Sequence, residues 1–270
     1  MYKLLALDMD GTLLRKDKTI SDRTLKALSA ARKKGVKVVL ATGRPVRGIK
    51  KYLAYLGLDR DDEYAVTFNG SAVQTGKSGN MLFEKFITGA DLHQVYELSL
   101  QHGVHIHAFT EKGQLITPVL NKYTGVESEI NDIDIHVKDF KEIKPEDKII
   151  KVMLVDEPEK LDLVYSKLPK ELFTKFSIMR SAPIFLEFLN PETNKGLGLS
   201  VLSKELGISK DEVIAVGDAG NDIAMIKYAG LGVAMGNAFP EVKEIADYVT
   251  VTNDEDGVAE VIEKFILNQA

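Results

Sequence analysis

At 270 residues with 44% hydrophobic positions, the chain is long enough for one or two domains with substantial cores. Its formal charge of -5 gives no electrostatic footprint for nucleic acid or an anionic membrane surface, which leaves a small molecule as the expected partner. The lack of cysteine excludes disulfides and thiolate metal sites, and no apolar stretch approaches the roughly 20 residues of a membrane span.

The first apolar run, Lys3 to Leu7, has strand length and ends in Asp8-Met9-Asp10-Gly11-Thr12. Because Asp8 breaks this run and no signal-like cleavage region follows, a cytoplasmic protein is expected. A helical pattern comes next, with Ser21 as its candidate N-cap, Leu25, Leu28 and Ala31 on one face, and Gly35 past its end. The run Val36 to Ala41 completes a strand–helix–strand unit and delivers Thr42-Gly43-Arg44. Pro45 then opens a second helix that shows Ile49, Leu53 and Leu56 on one face and stops at Gly57. Tyr64 to Phe68 reads as a further strand, followed by the turn dipeptide Asn69-Gly70.

From about residue 84 to 190 the texture changes. Helical stretches (Leu92, Val95 and Leu98; Leu161, Val164 and Leu168) mix with strands at Val104 to Phe109, Ile149 to Val155 and Ile184 to Leu189. All five histidines fall here, and the segment carries a net charge of -5 against 0 for the remainder. An α+β domain inserted into a doubly wound one is therefore predicted, with 1–83 and 191–270 as the core and 84–190 as the insertion. After residue 190 the alternation resumes: a helix over Leu197, Val201 and Leu202, strands at Val213 to Val216, Leu231 to Met235 and Tyr248 to Val251, and a final helix over Val258, Val261, Ile262 and Phe265. Short continuous apolar runs of this kind suit a parallel sheet covered on both faces.

Four of the runs end alike, in LLALDMDGT, VVLATGR, AVTFNG and VIAVGDAGND. Ligands of α/β sheets bind beyond the carboxyl ends of the strands, so parallel pairing would bring Asp8, Thr42, Asn69 and Asp218 to one cleft. Residues i and i+2 of an extended segment point the same way, which lets Asp8 and Asp10 approach one reacting centre, and Gly11 permits the sharp turn that follows. Neighbouring carboxylates repel one another, and an all-oxygen environment suits Mg²⁺ better than a soft metal. Asp218 and Asp222 add further carboxylates. A carboxylate can also serve as a nucleophile toward phosphorus, with Asp8 attacking and Asp10 passing the proton. An EF-hand is excluded because its twelfth loop position would be Thr19.

DMDGT, ATGR, the later NKG and GDAGND, in this order, resemble the motifs of the haloacid dehalogenase superfamily phosphatases, in particular the Cof-type branch. The likeness extends over FNG, GVHIHAF, KVMLVDEP and GVAM, and so over essentially the whole chain. It implies a Rossmann-like core with an inserted cap of the C2 type that closes over the core cleft and selects the leaving group. It further implies Asp8 as nucleophile, Asp10 as acid and base and as a Mg²⁺ ligand through its backbone carbonyl, and Asp8 and Asp218 as further metal ligands. Met9, Thr42, Gly43, Lys195 and Asn221 would bind phosphate, Lys195 would neutralise charge on the nucleophile, and Asp222 would support the metal's waters. Asn194 stands where many members of the branch carry a hydroxyl residue.

The remaining candidates are weaker. Asn69 and Gly70 can form a turn or touch substrate, and Arg44 reads as an ion-pair or surface residue. His105 and His107 fall on one face of a strand, directed to substrate or solvent, whereas His102 sits at a helix end, which argues against a zinc site. The expected function is a Mg²⁺-dependent phosphatase of small phosphorylated metabolites, sugar phosphates first. The alternatives are a phosphotransferase such as a phosphohexomutase, which uses the same aspartyl-phosphate, and a non-catalytic metabolite-binding protein. A P-loop kinase is disfavoured because no G-x-x-x-x-G-K-[ST] sequence occurs. Oligomeric state is not legible.

Overall fold

Six of the apolar runs become parallel strands, which is why each carries its polar residues to the same sheet edge. The computed structural model describes residues 1–268 and divides into two units. One comprises Met1–Val46, Lys50–Phe83 and the chain from Asn194 onward; the other comprises Glu84–Thr193 together with Arg47–Ile49.

The first unit begins with β1 (Leu4–Leu7), α1 (Asp22–Lys33), β2 (Lys37–Ala41), α2 (Val46–Tyr55), β3 (Tyr64–Thr67), β4 (Ala72–Thr75) and β5 (Met81–Glu84). The Ser21 side chain accepts from the Thr24 N–H at the start of α1, a cap of the kind that stabilises a helix by about 1 kcal/mol. In the second unit follow β6 (Ile87–Thr88), α3 (Gly89–His102), β7 (His105–Thr110), β8 (Leu115–Thr117), α4 (Lys122–Asn131), β9 (Ile135–Val137), β10 (Lys148–Val155), α5 (Pro158–Lys167), α6 (Leu172–Lys175), β11 (Ser177–Ala182) and β12 (Phe185–Leu189). The chain then returns to the first unit with α7 (Lys195–Glu205), β13 (Val213–Gly217), α8 (Ile223–Tyr228), β14 (Leu231–Ala234), α9 (Pro240–Glu244), β15 (Tyr248–Val249) and α10 (Gly257–Ile262).

The core sheet has the order β15-β14-β13-β1-β2-β3-β4-β5, with β1 between β2 and β13. Strands β1, β13 and β14 are buried along their whole length, as expected of a sheet covered on both faces. The antiparallel β3–β4 pair is built around Phe68-Asn69-Gly70 and extends the sheet beyond the runs read from sequence.

Two helices differ from their sequence reading. In α7 the buried positions are Lys195, Gly196, Gly198, Leu199, Leu202 and Ser203, while Leu197 and Val201 are only partly covered. At the C-terminus a π turn over Glu263–Leu267 follows α10 and shifts the helical phase, so that Ile266 is buried where Phe265 was expected.

The second unit is a seven-stranded mixed sheet, ordered β11-β12-β10-β7-β8-β9 with β6 pairing β10. One face, bearing Ile106, Ala108, Val152, Leu154, Leu186 and Phe188, packs against Leu92 and Val95 of α3 and Leu161 and Val164 of α5. Alternation puts His107, Met153 and Glu187, which are cross-strand neighbours, on the other face. Lys151 is also buried and forms an ion pair with Glu187 at 3.1 Å. Among the described residues no helix is long and apolar enough to cross a membrane.

Candidate active site

Asp8 follows β1, Thr42 follows β2, Asn69 lies just past β3, and Asp218 follows β13, so one edge of the core sheet carries all four. The centre of the group is Lys195, the first residue of α7, which is fully buried. Its ammonium donates to Asp8 Oδ1 and to Asp222 Oδ1, each at 2.6 Å. Asn194 caps α7 through its Oδ1, which accepts from the Leu197 N–H at 2.8 Å. An amide oxygen serves as an N-cap as well as a hydroxyl does, which accounts for asparagine at this position.

Both oxygens of Asp222 are engaged. Oδ1 takes the lysine, and Oδ2 accepts from the backbone N–H groups of Asp218 and Ala219 at 2.9 and 3.0 Å. The same carboxylate therefore shapes the GDAGND turn and anchors the lysine. Thr12, which the motif reading passed over, donates Oγ1–H to Asp218 Oδ1 at 2.7 Å. A hydroxyl two residues beyond Asp10 was the available signal.

Phosphate-binding candidates from the second motif meet the FNG turn. The Asn69 N–H donates to the Thr42 carbonyl at 3.0 Å and the Phe68 N–H to the Arg44 carbonyl at 3.2 Å. Asn69 is buried in a left-handed conformation (φ 55°), and its Oδ1 accepts from Asn221 Nδ2 at 3.0 Å. Gly70, at φ 92°, lies against the start of α7: a Cβ there would stand 2.0 Å from the Asn194 carbonyl oxygen. The FNG segment is thus a turn that also braces Asn221 and the Lys195 helix. Met9 is fully buried between the two aspartates, and Gly43 lies beside the Asn69 side chain.

The Asp10 carboxylate is not part of the acidic cluster. Arg44 grips it through Nε and Nη2, at 2.9 and 2.8 Å, and Lys18 Nζ approaches at 2.7 Å. Burial pushes this carboxyl up, but the hydrogen bonds and charge of Arg44 and Lys18 outweigh it and hold Asp10 below the usual carboxylate range. Arg44, read from sequence as an ion-pair or surface residue, is the bidentate partner of Asp10.

Asp8, Asp218 and Asp222 offer ligand oxygens that all lie within 4.8 Å of one another. Burial, reinforced by the charge of Asp222, pushes Asp8 well above the ordinary carboxylate range, and the Lys195 ammonium offsets this only in part. Burial likewise pushes Asp218 up to about 6 despite the Thr12 hydroxyl. Lys195 is held more firmly protonated than usual, because Asp222 and Asp8 overcome the cost of its burial. Three crowded carboxylates with one ammonium fit a divalent cation, and their oxygens form the hard donor set such a cation prefers.

His105 and His107 belong to the second unit. His105 is exposed, with its ring 5.9 Å from that of Tyr123. His107 corrects the expectation of a substrate- or solvent-facing residue: it is fully buried, with Nδ1 3.1 Å from Thr124 Oγ1 and Nε2 3.1 Å from Met153 Sδ. Its strand face is covered, a fact that alternation alone could not reveal. Burial, and then the charge of Lys151, push the imidazole down to about 3.

Because the unfolded chain protonates His107 near pH 6.5 and the folded one near 3, its neutral form contributes stability above 6.5 that is lost as the pH falls through this window. Wild type is expected to lose stability over His107→Leu at up to about 1.4 kcal/mol per pH unit between these limits. Urea unfolding of both proteins at several pH values measures the difference, and parallel pH profiles would contradict the assignment.

The sequence profile of the haloacid dehalogenase-like hydrolases matches residues 5–262. The chain belongs to that family. Bacillus subtilis YxeH is 40% identical to it over 269 residues, covering 99% of each chain. The 5-amino-6-(5-phospho-D-ribitylamino)uracil phosphatase YcsE of the same organism is 36% identical over 265 residues, covering 98% of this chain and 96% of its own. Among solved structures, BT4131, described as a subclass IIB sugar phosphatase of the superfamily, superposes with a TM-score of 0.81 at 29% identity, covering 97% of this chain and 98% of that one. The fold is the haloacid dehalogenase core with the inserted α+β unit of subclass IIB, and the chain is a phosphatase of this family, a phosphoric monoester hydrolase.

Proposed function

We propose that this haloacid dehalogenase-like phosphatase hydrolyses phosphorylated sugars and similarly small metabolites with Mg²⁺, through an aspartyl-phosphate on Asp8. The observation that carries the reading is the Lys195 ammonium, buried and shared between Asp8 and Asp222 beside Asp218. Within the family the motif set resembles that of the bacterial sugar phosphatase YidA, and the relationship to BT4131 supports the same substrate class.

In this reading an Asp8 carboxylate oxygen attacks phosphorus, the bond to the ester oxygen breaks, and Asp10 gives that oxygen a proton. Water then attacks the aspartyl-phosphate, Asp10 takes the water's proton, and phosphate leaves with Asp8 restored. Lys195 and the Thr42 hydroxyl, with the backbone amides of Met9 and Gly43 and the Asn221 side chain, hold the phosphoryl oxygens on which charge is spread. Once Asp10 has protonated the ester oxygen, Arg44 and Lys18 stabilise the carboxylate that is left to take the proton of the attacking water. Asp8, Asp218 and the Asp10 carbonyl would hold Mg²⁺, with Asp222 supporting its waters; when bound, the ion supplies positive charge to the phosphoryl group. The choice of leaving group falls in this reading to the inserted unit, where His105 is exposed and His107 is buried.

Phosphate release from sugar phosphates, nucleotides and an aryl phosphate, with Mg²⁺ or with chelator, tests the proposal. Mg²⁺-dependent release, fastest on a sugar phosphate, is the expected result. Phosphate transferred to a second sugar instead of released would favour the mutase, and release unaffected by chelator would remove the metal.

A further inference from the structure

The loop after β14 reaches two motifs at once. Phe239 donates its backbone N–H to the Asp218 carbonyl at 3.0 Å. Two residues earlier, Asn237 donates Nδ2–H to the Gly11 carbonyl at 2.8 Å. The side chain is braced from behind: its Oδ1 accepts from the Asn253 N–H at 2.9 Å, and buried Asn253 donates Nδ2–H to the Leu14 carbonyl at 2.8 Å. Asn237 therefore joins the turn after β1 to a loop more than two hundred residues away in sequence, roughly 240 for Leu14 and Asn253.

The atom it holds matters because of what lies on either side. Gly11 separates Asp10, whose carboxyl moves the proton in the proposed reaction, from Thr12, whose hydroxyl binds Asp218. At φ 87° the glycine lies directly on Asp218: a Cβ would stand 2.3 Å from Oδ2. Rotation of the Gly11–Thr12 peptide would strain the Thr12–Asp218 hydrogen bond and loosen the turn that carries Asp10. Asn237 itself is exposed, so its removal costs the core little.

We propose that Asn237 is a positioning residue for the proton transfer, its amide fixing the Gly11 carbonyl so that the Asp10 carboxyl points at the ester oxygen. The inference rests on the assignment of Asp10 as acid and base. Asn237→Asp keeps the shape and the acceptor toward Asn253 but replaces the donor with an oxygen facing the Gly11 carbonyl. Asn237→Ala removes both contacts.

The distinguishing measurement compares two esters. Departure of a sugar alkoxide needs the proton from Asp10, whereas para-nitrophenolate is a good leaving group and needs it much less. With Mg²⁺ present, kcat for a hexose phosphate is expected to fall roughly 10- to 100-fold in both variants. The fall on para-nitrophenyl phosphate should stay under roughly 3-fold, with KM and the melting temperature little changed. A general disturbance of the site, or the added negative charge in Asn237→Asp, would slow both esters alike. Equal losses on the two esters, or no loss on either, overturn the positioning role. Equal turnover of both esters by an Asp10→Asn variant and by wild type would instead overturn the assignment of Asp10, and the inference with it.

Discussion

Asp8→Asn is expected to abolish phosphate release, lowering turnover by at least about 10⁴-fold, while leaving the fold at least as stable. The loss follows from the chemistry: a carboxamide oxygen is a poor nucleophile toward phosphorus, and no second group within the cluster can substitute without rebuilding it. The stability follows from electrostatics. Asp8 is buried beside two other carboxylates and is held well above its ordinary range, so its charged form is disfavoured in the folded protein. A neutral side chain of the same shape relieves that cost, and the melting temperature should stay level or rise in chelator. Phosphate release and thermal unfolding on the same sample separate the two effects. Turnover within about tenfold of wild type would remove Asp8 from the nucleophile's role.

The second large effect is expected at Lys195, with the opposite balance. Lys195→Ala should lose at least about 10²- to 10³-fold in turnover, the usual consequence of deleting one donor to a charged transition state. Here the fold should suffer as well. The ammonium is the shared partner of Asp8 and Asp222, and its removal leaves buried carboxylates without their cation. Breaking buried pairs in this way commonly costs about 3–5 kcal/mol. Lys195→Met, which fills more of the space, should be nearly as destabilised, because charge and not volume is missing. Mg²⁺ should raise the melting temperature of both variants, since a cation that binds only the folded chain stabilises it by mass action. An unchanged rate in Lys195→Ala would count against the assignment; an unchanged melting temperature would contradict the electrostatic account.

Much of this arrangement is legible in the amino-acid sequence, and the reasons differ by element. The strands carrying Asp8, Thr42, Asn69 and Asp218 were found because buried parallel strands are unbroken apolar runs with polar residues after them. Strand β4 and the short β8, β9 and β11 were missed, since three to six residues with mixed polarity carry no period of their own. The buried face of α7 was misread for a different reason: two of its buried positions are glycines, which a search for large apolar residues passes over. Arg44 illustrates a further limit. Arginine after a strand is common, and only the fold reveals that its guanidinium meets Asp10, far away in sequence. His107 was misplaced because alternation tells which residues share a strand face but not what covers it.

The position of β1 has a consequence for how the molecule is made. One of its neighbours, β2, follows within about 30 residues, but the other, β13, pairs Leu4 with Val213 and leaves the ribosome roughly 200 residues later. At ordinary synthesis rates of about 5–20 residues per second, the strand bearing the first motif waits about 10 to 40 s with one edge unpaired. The inserted unit, all of whose sheet strands are contiguous in the chain, is complete before the core sheet can close. The nascent chain therefore passes through a stage with one finished unit and one open hydrogen-bonding edge, and that edge is where self-association during synthesis would begin.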